Sequence, residues 1–158
     1  MYKIEIKTKK MFKNSNAASI LEEVKGLSIT GVKRVDYSPL YFIDANLTFD
    51  EVKKIASELL ADQITQEWII TKEKTDTKEN VEKKSQGQSF IEVYYKKGVM
   101  DAPAESVVKA VKDLGIAKEI KVKTGHRYCF WGDISNEVLE MIAKKILSNN
   151  IIQGYKIN

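Results

Sequence analysis

Two stretches of this chain match each other without a gap when they are set 87 residues apart. Ile4 falls on Ile91, Glu5 on Glu92, Lys9-Lys10 on Lys96-Lys97 and Ala17 on Ala104. Val24-Lys25 meets Val111-Lys112, Tyr41 meets Tyr128, and Ile55-Ala56 meets Ile142-Ala143. The register holds to the end, where Leu60, Ile64, Gln66 and Ile70 meet Leu147, Ile151, Gln153 and Ile157. Two unrelated domains could share an apolar pattern, but identical polar residues across an unbroken register point to duplication. Two copies make an internal dimer, because a solenoid needs at least three repeats to bury a continuous core.

Between the copies lie residues 72–89, in which Val81 is the only apolar side chain. Such a stretch has nothing to bury, and a structureless run of this length is uncommon inside one compact domain. It reads as a polar tether joining a first repeat, 1–71, to a second, 90–158. As a flexible coil it would have a root-mean-square span of roughly 20–25 Å, enough to join neighbouring units.

Each repeat has a legible order of elements. Tyr2, Ile4 and Ile6 alternate with polar residues, which predicts a strand with one buried face. Asn14-Ser15-Asn16 offers N-caps for a helix carrying Ala17, Ile20, Leu21 and Val24, with Gly26 placed to end it. Val32 to Asp36 and Leu40 to Ala45 are β-rich runs around Ser38-Pro39, which predicts a hairpin. Thr48-Phe49-Asp50-Glu51 is a capping box ahead of Val52, Ile55, Ala56, Leu59 and Leu60, and Gln66 to Thr71 closes the unit. The second copy repeats this order, with Asp101-Ala102-Pro103 opening its first helix, Gly115 ending it, Gly125 in the expected hairpin and Ser135 as a cap.

The fold class expected is therefore α+β, two tandem β-α-β-β-α-β repeats of ferredoxin-like type. Joined along an edge, the two sheets would hide strand edges that each would otherwise expose. One continuous, largely antiparallel sheet with helices on one face is the expected intramolecular pseudo-dimer. The other face would then carry alternate strand residues. Phe42, Tyr94 and Trp131 are candidates for an interface there, with His126 and Arg127 beside them on the second hairpin.

Chemistry of the chain's own is hard to find. Cys129 sits mid-strand beside Phe130, and a buried structural thiol is the simpler reading than a nucleophile. His126 is the single histidine, and no carboxylate is placed in sequence to orient it as a base. No spacing of ligands resembles a metal site, and Gly98 and Gly115 are isolated turn glycines rather than a phosphate loop. No catalytic, cofactor-binding or metal residue is expected. One cysteine excludes an internal disulfide and points to a reducing compartment. The N-terminus opens directly into a strand pattern with no apolar targeting run, and no uncharged run is long enough to span a membrane. Cytoplasmic location without membrane contact is the expectation.

Several segments carry a family resemblance. Phe90-Ile91-Glu92-Val93-Tyr94-Tyr95-Lys96-Lys97-Gly98-Val99-Met100-Asp101-Ala102-Pro103 resembles the opening of PurS-type proteins, a strand leading to a Gly-Val-x-Asp-Pro turn and a helix. Leu147-Ser148-Asn149-Asn150-Ile151-Ile152-Gln153-Gly154-Tyr155 resembles that family's closing segment. Glu58 to Trp68 in the first copy is similar to the end of the N-terminal domain of large phosphoribosylformylglycinamidine (FGAM) synthases. Ala102 displaces the turn proline, Asn14-Ser15-Asn16 replaces the turn in the first copy, and Gln63 and Asn150 stand where proline is usual.

The resemblance implies two fused PurS-like repeats, as a free-standing subunit or as the leading piece of a longer synthase. It implies a non-catalytic scaffold for a glutamine-dependent ligase of de novo purine biosynthesis. Its partners would be the synthetase and glutaminase parts, and a homodimer is a further possibility. ATP and Mg²⁺ would belong to the full enzyme and not to this chain. Two other classes share the element order. An RNA-recognition domain fits a net charge of +4 and a pI near 9.0, but neither Leu40 to Ala45 nor Arg127 to Gly132 carries the required basic-Gly-aromatic signature. No nucleic-acid partner is expected. A small-molecule-binding regulatory module of the ACT type is the alternative, although it would want a glycine-rich turn where Asn14-Ser15-Asn16 stands.

Overall fold

The structure, a computed structural model, describes residues 1–72, 86–117 and 119–158. Most of the expected tether, residues 73–85, lies outside the described residues. The first repeat forms β1 (Tyr2–Thr8), α1 (Ser15–Gly26), β2 (Val32–Asp44), α2 (Phe49–Ile55) and β3 (Gln66–Lys72). The second forms β4 (Gln88–Tyr95), α3 (Ala102–Asp113), β5 (Lys121–Gly132), α4 (Asn136–Ile142) and β6 (Gln153–Ile157). Gln88 and Ser89, read above as tether, thus open a strand.

The duplication extends to the elements. All four helices coincide in pairs once shifted by 87 residues, as do the π-helical turns Ala56–Leu60 and Ala143–Leu147 that continue α2 and α4. Ile4 pairs with Ile70 as Ile91 pairs with Ile157. The six described strands form one antiparallel sheet in the order β3-β1-β2-β5-β4-β6, which maps onto itself when the repeats are exchanged. The mixed α/β class and the single antiparallel sheet are therefore as expected.

One expected feature is replaced. Neither repeat contains a hairpin at Ser38-Pro39 or Gly125, because β2 and β5 run straight through these positions as strands of 13 and 12 residues. Both signals mark a different event. The chain divides into two compact units, and each long strand passes from one to the other between Tyr37 and Ser38 and between Gly125 and His126. Pro39 breaks no pairing with β1, whose ladder with β2 starts at Leu40. A turn-prone residue here marks a handover, not a reversal.

The compact units differ from the two sequence repeats. One holds β1, α2, β3, the Ser38–Asp44 end of β2, α3 and the Lys121–Gly125 end of β5. Its core packs Tyr2, Ile4, Ile6, Ile43, Val52 and Ile55 against Val107 and Val111 of α3 and against Ile120. The other unit holds α1, the Val32–Tyr37 end of β2, β4, the His126–Gly132 end of β5, α4 and β6. There Ile91, Val93, Phe130, Leu139 and Ile142 pack with Val24 of α1 and Val35 of β2. Each repeat therefore supplies its first helix to a core built mainly by the other.

The helix starts follow the sequence closely. Asn14 Oδ1 accepts from the Ala17 N–H at 3.0 Å, Ser135 Oγ accepts from Val138, and Thr48 and Glu51 complete the capping box. Those bonds from Thr48 hold the Glu51 carboxyl below its ordinary range. α1 ends at Gly26 as expected, but the left-handed position beyond it falls to Ser28 at φ 57°. In α3 the equivalent position is Gly115 at φ 67°, as expected.

Asp101 does more than cap. Its carboxylate accepts from the Ala104 N–H at 3.1 Å, from the Thr124 N–H at 2.7 Å and from the Thr124 hydroxyl at 2.7 Å, tying α3 to β5. Thr124 is buried. Asp101→Ala is expected to cost about 2–4 kcal/mol in urea unfolding, a cap plus a buried donor left unpaired. A loss below about 1 kcal/mol would show that water replaces the carboxylate.

Candidate partner interface

Strand alternation sorts the five interface candidates. On β5, Tyr128 and Phe130 turn into the core, so His126 shares their face while Arg127 and Trp131 take the opposite one. On β2, Tyr41 and Ile43 pack on the core, which leaves Phe42 on the opposite face, across from Lys3 of β1. Tyr94 lies outside the core on β4, opposite Gly154. Phe42 belongs to one compact unit, and the other four belong to the second.

His126 is part of an aromatic cluster. Its ring stacks on Tyr37 with centroids 5.8 Å apart and an interplanar angle of 22°, and its Nδ1 is 2.8 Å from the Tyr37 hydroxyl. Tyr128 completes the group, 5.3 Å from Tyr37, and Asn14 Nδ2 donates to the Tyr37 carbonyl at 2.9 Å. Burial pushes the Tyr128 phenol up to about 12, so it stays neutral at physiological pH. The cluster fastens the start of α1 to β2.

Arg127 is buried and bound. Its Nη2 lies 2.6 Å and its Nε 2.8 Å from Glu92 Oε1, with the guanidinium 5.2 Å from the centre of the Phe90 ring. The Tyr94 hydroxyl donates to the same carboxylate. Trp131 is half-buried and lies under the Arg34 guanidinium, whose carbon is 4.1 Å from the ring centre. Arg34 is held in turn by Asp36 at 2.5 Å, which raises its pKa further.

The second unit's side of this face is thus a set of capped and paired groups, not the bare apolar patch expected. Phe42 is half-buried as well. The large apolar side chains most exposed among the described residues lie in loops instead: Met11, Ile64, Met100 and Ile151. The repeat register matched Ile64 with Ile151 but gave no sign of their exposure, since single exposed apolar residues are ordinary.

Cys129 accepts a hydrogen bond from Gln88 Nε2 at 2.9 Å, and burial pushes its thiol up to about 11. A thiol so raised carries little thiolate near neutral pH, which fits a structural role. Among the described residues no group of three or more His, Cys, Asp or Glu side chains is placed to hold a metal. No described helix is long and apolar enough to cross a membrane.

Residues 88–158 match the family model PurS, described as phosphoribosylformylglycinamidine (FGAM) synthase. The match begins at the first residue of β4 and includes all of the second repeat. Among solved structures the chain is similar to the purS subunit of phosphoribosylformylglycinamidine synthase from Thermotoga maritima. The identity is 16% and the TM-score 0.33, over 45% of this chain and 87% of that one. No curated protein matches the chain.

Proposed function

We propose, from the premise that residues 88–158 are a PurS-like domain, that the whole chain is a fused pair of such repeats serving FGAM synthase in purine biosynthesis. In this reading it is a scaffold without turnover of its own, acting in the cytoplasm and bridging the synthetase and glutaminase parts. ATP and Mg²⁺ belong to those parts. The observation that carries the reading is the correspondence of all four helices and the edge-strand registers across the two repeats. It supports extending the family likeness of the second repeat to the first.

The test is reconstitution. The purified chain with formylglycinamide ribonucleotide, ATP, Mg²⁺ and glutamine is expected to form no amidine product. Added to purified synthetase and glutaminase parts from the same source, it is expected to raise glutamine-dependent turnover. Product from the chain alone would overturn the non-catalytic reading, and no effect on the combined parts would overturn the bridging one.

A further inference from the structure

The turn that closes each repeat is held unusually firmly and presents an isoleucine to solvent. In the first repeat, Asp62 Oδ1 accepts from the N–H groups of Ile64 and Thr65 at 3.0 and 2.8 Å. Lys9 reaches across from the loop after β1. Its Nζ donates to the carbonyls of Gln63 and Ile64 at 2.9 and 3.1 Å, and its N–H donates to Thr65. In the second repeat Asn149 Oδ1 accepts from Ile151 at 3.0 Å, and Lys96 Nζ donates to the Asn150 carbonyl at 2.5 Å. The Lys96 N–H donates to Ile152. Ile64 is 73% exposed and Ile151 83%.

Turns favour Gly, Asn, Asp, Ser and Pro, and nothing in this geometry calls for isoleucine at the tip. One exposed isoleucine means little. The same isoleucine at the same clamped tip in both repeats, beside a loop joined to it by lysine, is a repeated surface feature. In the first repeat that loop also exposes Met11, at 84%, and Phe12. Cations accompany the apolar groups, with Lys10 exposed at the first corner and Lys97 at the second. The one carboxylate of the first corner, Asp62, is occupied by its own turn, and the second has the neutral Asn149 in its place.

We propose that each corner docks a protein segment that offers apolar side chains flanked by carboxylates. The clamped turns are preorganised, so little order is lost on contact. A second copy of the chain would set lysine against lysine, which charge complementarity disfavours. The inference rests on the scaffold reading and names the chemistry by which the other synthase parts are held.

Titration calorimetry with purified synthetase and glutaminase parts tests it, using the intact chain, Ile64→Glu and Ile151→Glu, each checked for an unchanged melting curve. Each substitution is expected to weaken binding of at least one part by about tenfold or more, and high salt is expected to weaken binding to the intact chain. Binding that neither substitution alters overturns the corners and leaves the scaffold reading standing. No binding by the intact chain overturns both. A dimer of the chain lost in Ile64→Glu, or sedimentation with phosphatidylserine–phosphatidylcholine vesicles lost in that variant, would assign the corner to another occupant and overturn the proposal.

Discussion

Replacing Arg127 with leucine is expected to lower the unfolding free energy by about 3–5 kcal/mol, because it removes the guanidinium bound to the buried Glu92 carboxylate. Both side chains are under a tenth exposed, and the pair is bidentate at the guanidinium, with contacts of 2.6 and 2.8 Å to one oxygen. The chain contains its own control. Under the 87-residue shift Arg127 corresponds to Leu40, and Leu40 is fully buried in register opposite Glu5. Glu5 is buried too, but Lys7 lies 3.7 Å from it with its own side chain 41% exposed. Tyr94 occupies the place of Lys7 in the second repeat. The Glu92 carboxylate is thus met by an arginine of the neighbouring strand and by the Tyr94 hydroxyl of its own, whereas Glu5 has Lys7 of its own strand beside it. Adding Tyr94→Lys to Arg127→Leu copies the first repeat's solution and is expected to recover about 1 kcal/mol, given the modest worth of a part-exposed pair. Urea unfolding of the three proteins measures this. A cost below about 1 kcal/mol for Arg127→Leu would mean the pair is nearly balanced by its desolvation.

The repeat, the helices and their caps were legible because they depend on local chemistry. Asn14, Thr48, Asp101 and Ser135 cap from side chains a few residues from the donors they satisfy. Of the matched polar residues, Gln66 and Gln153 act locally, each accepting from the start of its closing turn, whereas Lys9 and Lys96 clamp that turn from 54 residues away. Long strands replaced hairpins because Ser38-Pro39 and Gly125 signal a change in backbone surroundings, and only the tertiary pairing decides whether that change is a reversal. Gly31 and Gly132 escaped notice for a similar reason. Both hold positive φ angles, and a Cβ on Gly132 would lie 1.8 Å from the Gly31 carbonyl oxygen. The need for glycine comes from an approach between the start of β2 and the end of β5, far apart in sequence. That His126 shares the core face with Tyr128 and Phe130, while Arg127 and Trp131 take the other, was not legible because alternation fixes a residue's face only once strand boundaries are known.

Residues 1–72 and 86–158, produced as separate chains, are expected to fold only by association. Val107, Val111 and Ile120 come from the second repeat and lie in the core otherwise built by the first. Burying three such side chains contributes about 5–9 kcal/mol, comparable with the whole stability of a small domain. Val24 and Val35 of the first repeat stand in the same relation to the other core. In the intact chain each core takes a helix from the other repeat, and for an isolated half a second copy can supply that helix by exchange. The two halves mixed are expected to form a one-to-one complex with the strand signal of the intact chain. Residues 86–158 alone are expected to be dimeric or unfolded. The covalent link then acts through effective concentration, about millimolar for a short connection. Sedimentation equilibrium with circular dichroism at low micromolar concentration decides the matter. A half that is both monomeric and fully folded would show that each repeat can seat its first helix on its own strands, and the exchange of helices would no longer account for the two cores.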